Sequence, residues 1–394
     1  MDNIGYYFFG HLGDKLTKKT KDTPDGNAWY SSCIIHECLL RSKNVYLLGL
    51  NRDKDDYIIY GDNIFNSFEK KKRLYAYNNV EWVNWNIKNL QINARLPKLD
   101  ILLLEWRFPI SGRNTINSTI ENFQPDLIMQ EYILDYYKRT KTKVIIFDLD
   151  YKLTKEDEER LKKDFGDRIT IFETSNRPKK NTISRISVEI PFWMNTTKII
   201  KNKVINKDKE LVYIGSNYER EETINKYIKP YSEDHPFTTW FYGNWKKYHN
   251  VYNRIINELG WDKINYCNRV GHIDFEKIYS DSIATPLLAK NEYYKRGFMT
   301  ARIQECLYFG SVPIGFLDFY NINKYIPTLA DCIKIGGELV DLKAYTYKDL
   351  ITYVNYLKNL SIKNRNKLRQ KIWKKLEFMD VSYFVDKMEQ FCDK

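Results

Sequence analysis

Short apolar runs alternate with amphipathic stretches along most of the chain. In the first half, Ile4–Phe9, Val45–Leu50, Leu99–Leu104, Val144–Phe147, Ile169–Phe172 and Ile186–Ile190 read as strands. Leu99–Leu104 is dominated by apolar residues without alternation, the pattern of a strand buried on both faces. Between these runs, Ala28–Leu40, Ile116–Tyr137 and Lys155–Phe165 carry helical spacing. The stretch Asp53–Leu90 is polar and irregular, as an inserted surface element would be. A second series begins after Lys198–Lys209, a charged, Asn-rich stretch suited to a linker. Its strands are Leu211–Ile214, Thr238–Tyr242, Ile283–Leu288 and Val312–Gly315. Gly215-Ser216-Asn217 opens a helix with Glu219, Glu221 and Glu222 in its first turn, where the helix dipole favours acids. Further helices are expected at Arg302–Tyr308, Lys348–Leu357 and Lys363–Phe378, with Ser382–Asp393 as a terminal one. Strands and helices that alternate at this spacing predict parallel, doubly wound sheets.

The pattern therefore predicts an α/β protein of two Rossmann-like units in tandem. The expected division is 1–197, 198–378 and a terminal helix at 379–394. A length of 394 residues fits two or three domains, each large enough for its own core.

Composition narrows the class. No segment approaches the ~20 consecutive apolar residues of a membrane helix. The N-terminus lacks the basic and small-residue features of a signal peptide and reads as a first strand. The six cysteines, Cys33, Cys38, Cys267, Cys306, Cys332 and Cys392, form no CxxC pair. The histidines His11, His36, His235, His249 and His272 show no ligand spacing. Reduced thiols, a cytoplasmic setting and no metal site are expected. The net charge of +12 favours a polyanionic partner, although a Lys-, Asn-, Ile- and Tyr-rich composition raises the charge by itself.

The strongest chemical signal runs from Lys295 to Ile314. A helix is expected to begin near Phe298, Met299 and Thr300, where unpaired backbone N–H groups can bind a phosphate. Lys295 and Arg296 precede it and bring fixed positive charge to a diphosphate leaving group, with Arg302 close behind. Glu305 falls within the helix, where a carboxylate can accept from both hydroxyls of a ribose. Gly310 ends the helix and Val312-Pro313-Ile314 starts a strand. A salt-bridged Glu305 on an ordinary amphipathic helix would use the same letters.

A second signal is Leu211–Ile214 running into Gly215-Ser216-Asn217, with Arg220 beyond. Small residues there let a backbone approach a phosphate closely. Trp240-Phe241-Tyr242-Gly243-Asn244-Trp245 offers aromatics for a base, or for a core. Gly271-His272 precedes a short helix.

The Lys295–Ile314 segment resembles the nucleotide-sugar motif of GT-B glycosyltransferases, in which a helical glutamate holds the ribose. The whole chain looks most like the enzymes of bacterial DNA viruses that glycosylate hydroxymethylated pyrimidines in DNA. Thr23-Pro24-Asp25-Gly26-Asn27-Ala28-Trp29-Tyr30, Leu103–Arg107, Tyr213-Ile214-Gly215 and the Lys295–Ile314 segment carry that impression. The resemblance implies two Rossmann-like domains facing a central cleft, and a UDP-sugar donor, commonly glucose. It implies that Gly215, Ser216, Asn217, Arg220, Gly243, His272, Lys295, Arg296, Phe298, Met299, Thr300, Arg302 and Glu305 form the donor site. It also implies double-stranded DNA as partner, a monomer, no membrane, no required cofactor or metal, and the cytoplasm of an infected bacterial host.

Gly10–Asp14 looks like the acceptor-side loop of the same fold and lacks a GxGxxG fingerprint. Glu105, at the end of the most apolar strand, is a candidate base for an acceptor hydroxyl; Asp25 and Asp14 are rivals. Arg107 could pair with Glu105 and make it structural, and Asp25 or Asn27 could be a simple helix cap. Asp148-Leu149-Asp150 has a metal-binding spacing but lies in the wrong half for the donor. Lys70-Lys71-Lys72-Arg73 and Lys179-Lys180 could track DNA phosphates. Alternatives are a cell-envelope glycan or protein as acceptor, and a non-catalytic nucleic-acid-binding protein.

Overall fold

A computed structural model describes residues 1–8, 26–49, 58–59, 72–73, 80–83, 86–88, 91–106, 124–176, 182–192, 194, 199–203, 208–215, 219–243, 245, 260–270, 272–326, 333–335, 338–340 and 342–393. Asp14, Asp25, Arg107, Lys179, Lys180, Ser216, Asn217, Gly271 and Cys332 lie outside them. The chain divides into two compact units, one drawing on Pro24–Trp193 with Met1–Thr20 and Val381–Lys394, the other on Met194–Asp380.

The first unit holds a seven-stranded sheet. In chain order its strands are β1 (Asn3–Tyr7), β2 (Asn44–Leu47), β3 (Val80–Trp82), β4 (Ile101–Glu105), β5 (Lys143–Asp148), β6 (Ile169–Glu173) and β7 (Arg185–Ser187). The spatial order is β7-β6-β5-β4-β1-β2-β3, parallel throughout. Every residue of β4 and all but the first of β5 are buried, as the apolar runs require. Helices α1 (Gly26–Leu40), α2 (Gln124–Tyr137) and α3 (Lys155–Phe165) connect strands. In α3 the Thr154 hydroxyl accepts from the Asp157 N–H while the Asp157 carboxylate accepts from the Thr154 N–H, a reciprocal cap.

The second unit holds six parallel strands: β8 (Leu211–Ile214), β9 (Thr239–Tyr242), β10 (Asn265–Cys267), β11 (Ala284–Pro286), β12 (Val312–Phe316) and β13 (Lys343–Ala344). Their order is β10-β9-β8-β11-β12-β13. Its helices include α4 (His272–Ser280), α5 (Asn291–Arg296), α6 (Arg302–Phe309), α7 (Tyr347–Asn359) and α8 (Ile362–Lys375). In both units the first and fourth strands in chain order are neighbours and the order reverses between them. That reversal opens a crevice at the carboxyl ends of the two strands, where ligands bind in open α/β sheets. The crevice lies between β1 and β4 in the first unit and between β8 and β11 in the second.

The last helix, α9 (Val381–Cys392), belongs to the first unit. Its Phe384 packs edge-on to Phe147 and Phe172, each 5.2 Å away between ring centres. Arg41 at the end of α1 donates to Asp386 at 2.6 Å and Glu389 at 2.8 Å. Lys143 donates to the Cys392 carbonyl at 2.6 Å.

Candidate functional site

The second unit's crevice is built by Gly215, the residue that follows β8. Its backbone N–H donates to the Tyr242 carbonyl at 2.8 Å, which extends the sheet by one residue. A side chain at Gly215 would meet Arg302 Nη2 at 2.6 Å and Tyr213 Oη at 2.7 Å. At Gly243, following β9, a Cβ would collide with the Gly215 carbonyl oxygen. The two glycines thus permit a close backbone approach at neighbouring strand ends.

Arg302 is the first residue of α6. Its Nε donates to the Ile214 carbonyl at 2.6 Å, and its guanidinium lies 4.7 Å from the Tyr213 ring centre. Arg220 approaches the same ring at 5.9 Å. Tyr213 is therefore a platform for two cations at the strand end. Ala301 supplies no side-chain cap to α6, and of the first-turn N–H groups that of Ile303 turns back to the Thr300 carbonyl at 3.4 Å.

Glu305 lies one turn into α6 and is 8% exposed. Burial raises its pKa above the usual carboxylate value, and the Arg302 charge pulls it back. No hydrogen bond or ion pair from the described residues reaches its carboxylate. The fully buried hydroxyls of Tyr213 and Tyr279 also lack hydrogen-bond partners. The Tyr279 phenol is pushed well above its ordinary pKa by burial first and by Glu305 next. Buried polar groups are normally paired. A carboxylate, two phenols and an arginine with spare donors, gathered at one strand end, form an arrangement suited to a polar, partly anionic ligand.

The remaining expected donor residues divide. Lys295 is exposed; Arg296 is half-buried and bonded to Glu292. Both end the short helix α5, which Gly297 closes with a left-handed φ of 67°. Cations at that terminus also suit the helix dipole. Phe298 and Met299 are buried, with Phe298 4.4 Å from Tyr293 between ring centres, and Thr300 is half-buried. The Phe298 N–H donates to the Tyr293 carbonyl at 2.9 Å, so neither the ring nor the N–H of Phe298 is left for a phosphate. His272 opens α4, and its side chain is outside the described residues. Phe241 and Trp245 are buried and pack with Tyr213 and Tyr266 as core aromatics. Tyr213 entered the sequence reading only as part of the Tyr213-Ile214-Gly215 segment and Tyr279 not at all, because a tyrosine in an apolar strand or helix reads as core.

In the first unit's crevice, Glu105 ends β4 and is 1% exposed. Its carboxylate accepts from the hydroxyls of Tyr6 at 2.5 Å, Ser31 at 3.0 Å and Tyr30 at 3.3 Å. Asp148 ends β5 and accepts the N–H groups of Lys152 at 2.8 Å and Leu153 at 3.2 Å. Asp150 lies 3.9 Å from Lys152. Among the described residues no cluster of His, Cys, Asp or Glu could hold a metal ion, and no helix is long and apolar enough to cross a membrane.

Two parallel sheets of this order, each with its crevice at the strand reversal, define the GT-B fold of the GT-B glycosyltransferases. Among solved structures, the chain is similar to a mutant of bacteriophage T4 BGT in complex with UDP-glucose. That match has a TM-score of 0.57, 13% identity and 100% coverage of both chains. It is also similar to a mutant O-GlcNAc transferase of Thermobaculum terrenum, with a TM-score of 0.50, 10% identity, and coverage of 100% of this chain and 67% of the other. No protein-family model and no curated protein sequence matches the chain.

Proposed function

We propose that this chain is a glycosyltransferase that moves a sugar, glucose in the first instance, from a UDP-sugar to the hydroxymethyl group of a modified pyrimidine in DNA. The observation that carries the reading is Glu305: a buried carboxylate beside Arg302 whose oxygens no described residue occupies. Two vicinal ribose hydroxyls supply the donors it lacks. The diphosphate then lies over Gly215 and the first turn of α6, which has no side-chain cap, with Arg302, Arg220, Lys295 and Arg296 as the cationic groups around it. The acceptor oxygen attacks the anomeric carbon, the bond to the diphosphate breaks, and UDP leaves with its charge spread over cations and amides. The proposal assigns no step to a metal.

The acceptor proton needs a base. Glu105 lies at the right end of its sheet, but three hydroxyls already occupy its carboxylate. We therefore assign it to holding Tyr6, Tyr30 and Ser31 in place, and assign the base to Asp25 or Asp14. DNA as acceptor is supported by the net charge of +12 and by the fold shared with the phage BGT. A base in a duplex must be extruded to reach the donor.

The test is incubation with several UDP-sugars and DNA containing hydroxymethylated pyrimidines, followed by mass spectrometry of the nucleosides. A hexose added to the modified base is the expected result. Sugar transfer to a glycan or protein and never to DNA would reject the acceptor. UDP binding without transfer to any acceptor would reject the enzyme.

A further inference from the structure

Helix α8 is basic along its whole length. Half of its 14 residues are Lys or Arg and none is Asp or Glu, while the whole chain has 63 basic and 51 acidic residues. Its inner face buries Leu368, Arg369, Ile372 and Trp373. Arg369 donates to the Ile200 carbonyl at 2.7 Å and to the Leu307 carbonyl, which fixes the helix firmly to the second unit. Its outer face exposes Lys363, Lys367, Lys371 and Lys374. At 100° and 1.5 Å per residue these four fall within an arc of about 80° and form a row about 16 Å long.

None of the four enters an ion pair among the described residues, unlike Lys155 with Glu159, Lys209 with Asp281 or Lys226 with Asp318. Helix formation does not explain the row. Like charges one turn apart repel, and Lys363 stands in the first turn, where the dipole disfavours a cation. By contrast, α3 places Glu156, Asp157 and Glu158 there and α7 places Asp349.

We propose that the α8 lysine row binds the phosphate backbone of duplex DNA. The inference deepens the DNA-acceptor reading: it gives the second unit a sequence-independent grip on the polymer. Duplex DNA carries one charge per ~1.7 Å of axis, so a row of this length meets on the order of nine phosphates. An anionic membrane is the competing polyanion. Helices that lie on membranes present an apolar face beside their cations. Here Leu368, Ile372 and Trp373 face inward, and Ile362 is the single large apolar residue that α8 exposes.

The experiment measures binding of the full chain to a short unmodified duplex, between about 50 and about 200 mM salt. Wild type is compared with the triple variant Lys363→Gln/Lys367→Gln/Lys371→Gln and with the charge-preserving triple arginine variant. UDP titration of each protein reports independently on the donor site. The glutamine triple is expected to bind DNA at least tenfold more weakly at low salt. Its log–log salt dependence should be shallower by about three. The arginine triple should bind DNA as wild type does, and all three proteins should bind UDP equally. Equal DNA affinity and slope in the glutamine triple would overturn the proposal, as would absence of DNA binding by wild type. Lysine-dependent binding to phosphatidylglycerol vesicles, with DNA binding unaffected, would reassign the row to a membrane. Failure of every protein to bind UDP would instead count against the donor site and leave the lysine comparison standing.

Discussion

Two buried glutamates, Glu105 at the end of strand β4 and Glu305 in helix α6, have opposite surroundings. Glu105 is satisfied by three hydroxyls from β1 and α1; Glu305 is satisfied by none in the described structure. The contrast underlies the proposal that Glu105 holds the fold while Glu305 holds a ribose. Glu105→Gln puts a donor group among three hydroxyls and removes a charge they stabilise. It is expected to lower the unfolding free energy by about 2–4 kcal/mol, as broken buried networks do. Urea unfolding with a parallel activity assay checks this. Full stability with lost turnover would make Glu105 the base instead. Tyr213 has a further part at this scale, because its ring lies under both Arg302 and Arg220.

Among elements, α9 has the largest consequence for its unit. It returns from the end of the chain and buries Val381, Phe384, Val385 and Met388 against the first unit. At about 1.5–3 kcal/mol for each large apolar side chain, its packing rivals the net stability of a whole domain. Deleting Val381–Lys394 should therefore unfold the first unit. Hydrogen exchange should show lost protection in β5 and β6, with protection kept in β8 and β12. Retained protection in β5 would contradict the packing. This terminal helix was legible in the sequence, but its destination was not, since an apolar face does not say what it meets. The central strands were legible for the reason that they are stable: Ile101–Leu104 and Val144–Phe147 are apolar on both faces. Edge strands were not. Val80–Trp82 sits in a polar stretch and becomes a strand by pairing with β2. Asn265–Cys267 does so by pairing with β9. The helix after Gly215 also departs from the simple pattern, with a wide π-type turn at Ile224–Ile228 just ahead of Pro230. A proline there has no N–H for the regular ladder. In the proposed donor site, the Gly215, Arg302 and Glu305 signals lay in sequence spacing, whereas the hydroxyls of Tyr213 and Tyr279 stand out only once they are seen to lack partners.

For the whole molecule, buried acids shape the response to pH. Asp148 has its pKa raised to about 6, chiefly by burial, with Glu173 adding to the effect and the Lys152 and Leu153 N–H groups opposing it. Because the folded value exceeds the unfolded one, the folded protein binds more protons between about pH 4 and 6. The resulting stabilisation is complete below about pH 4 and is lost as pH rises through 6. Asp100 works in the other direction, held below the usual range by the N–H groups of Asp2 and Asn3. The informative quantity is therefore the difference between wild type and Asp148→Asn, in which other groups cancel. Urea unfolding across this window should show wild type losing stability relative to the variant as pH rises, by on the order of 3 kcal/mol at most. A flat difference would contradict the burial of Asp148 as a charge. The same scale carries the proposed division of labour, with a nucleotide crevice in the second unit and the basic helix α8 of that unit for the polymer.

Calorimetric titration of UDP into wild type and Glu305→Ala measures directly what the Glu305 carboxylate contributes to donor binding. Two hydrogen bonds to a charged acceptor predict that the variant, still folded, binds UDP on the order of 10²-fold more weakly. Equal UDP affinity in the two proteins would contradict it.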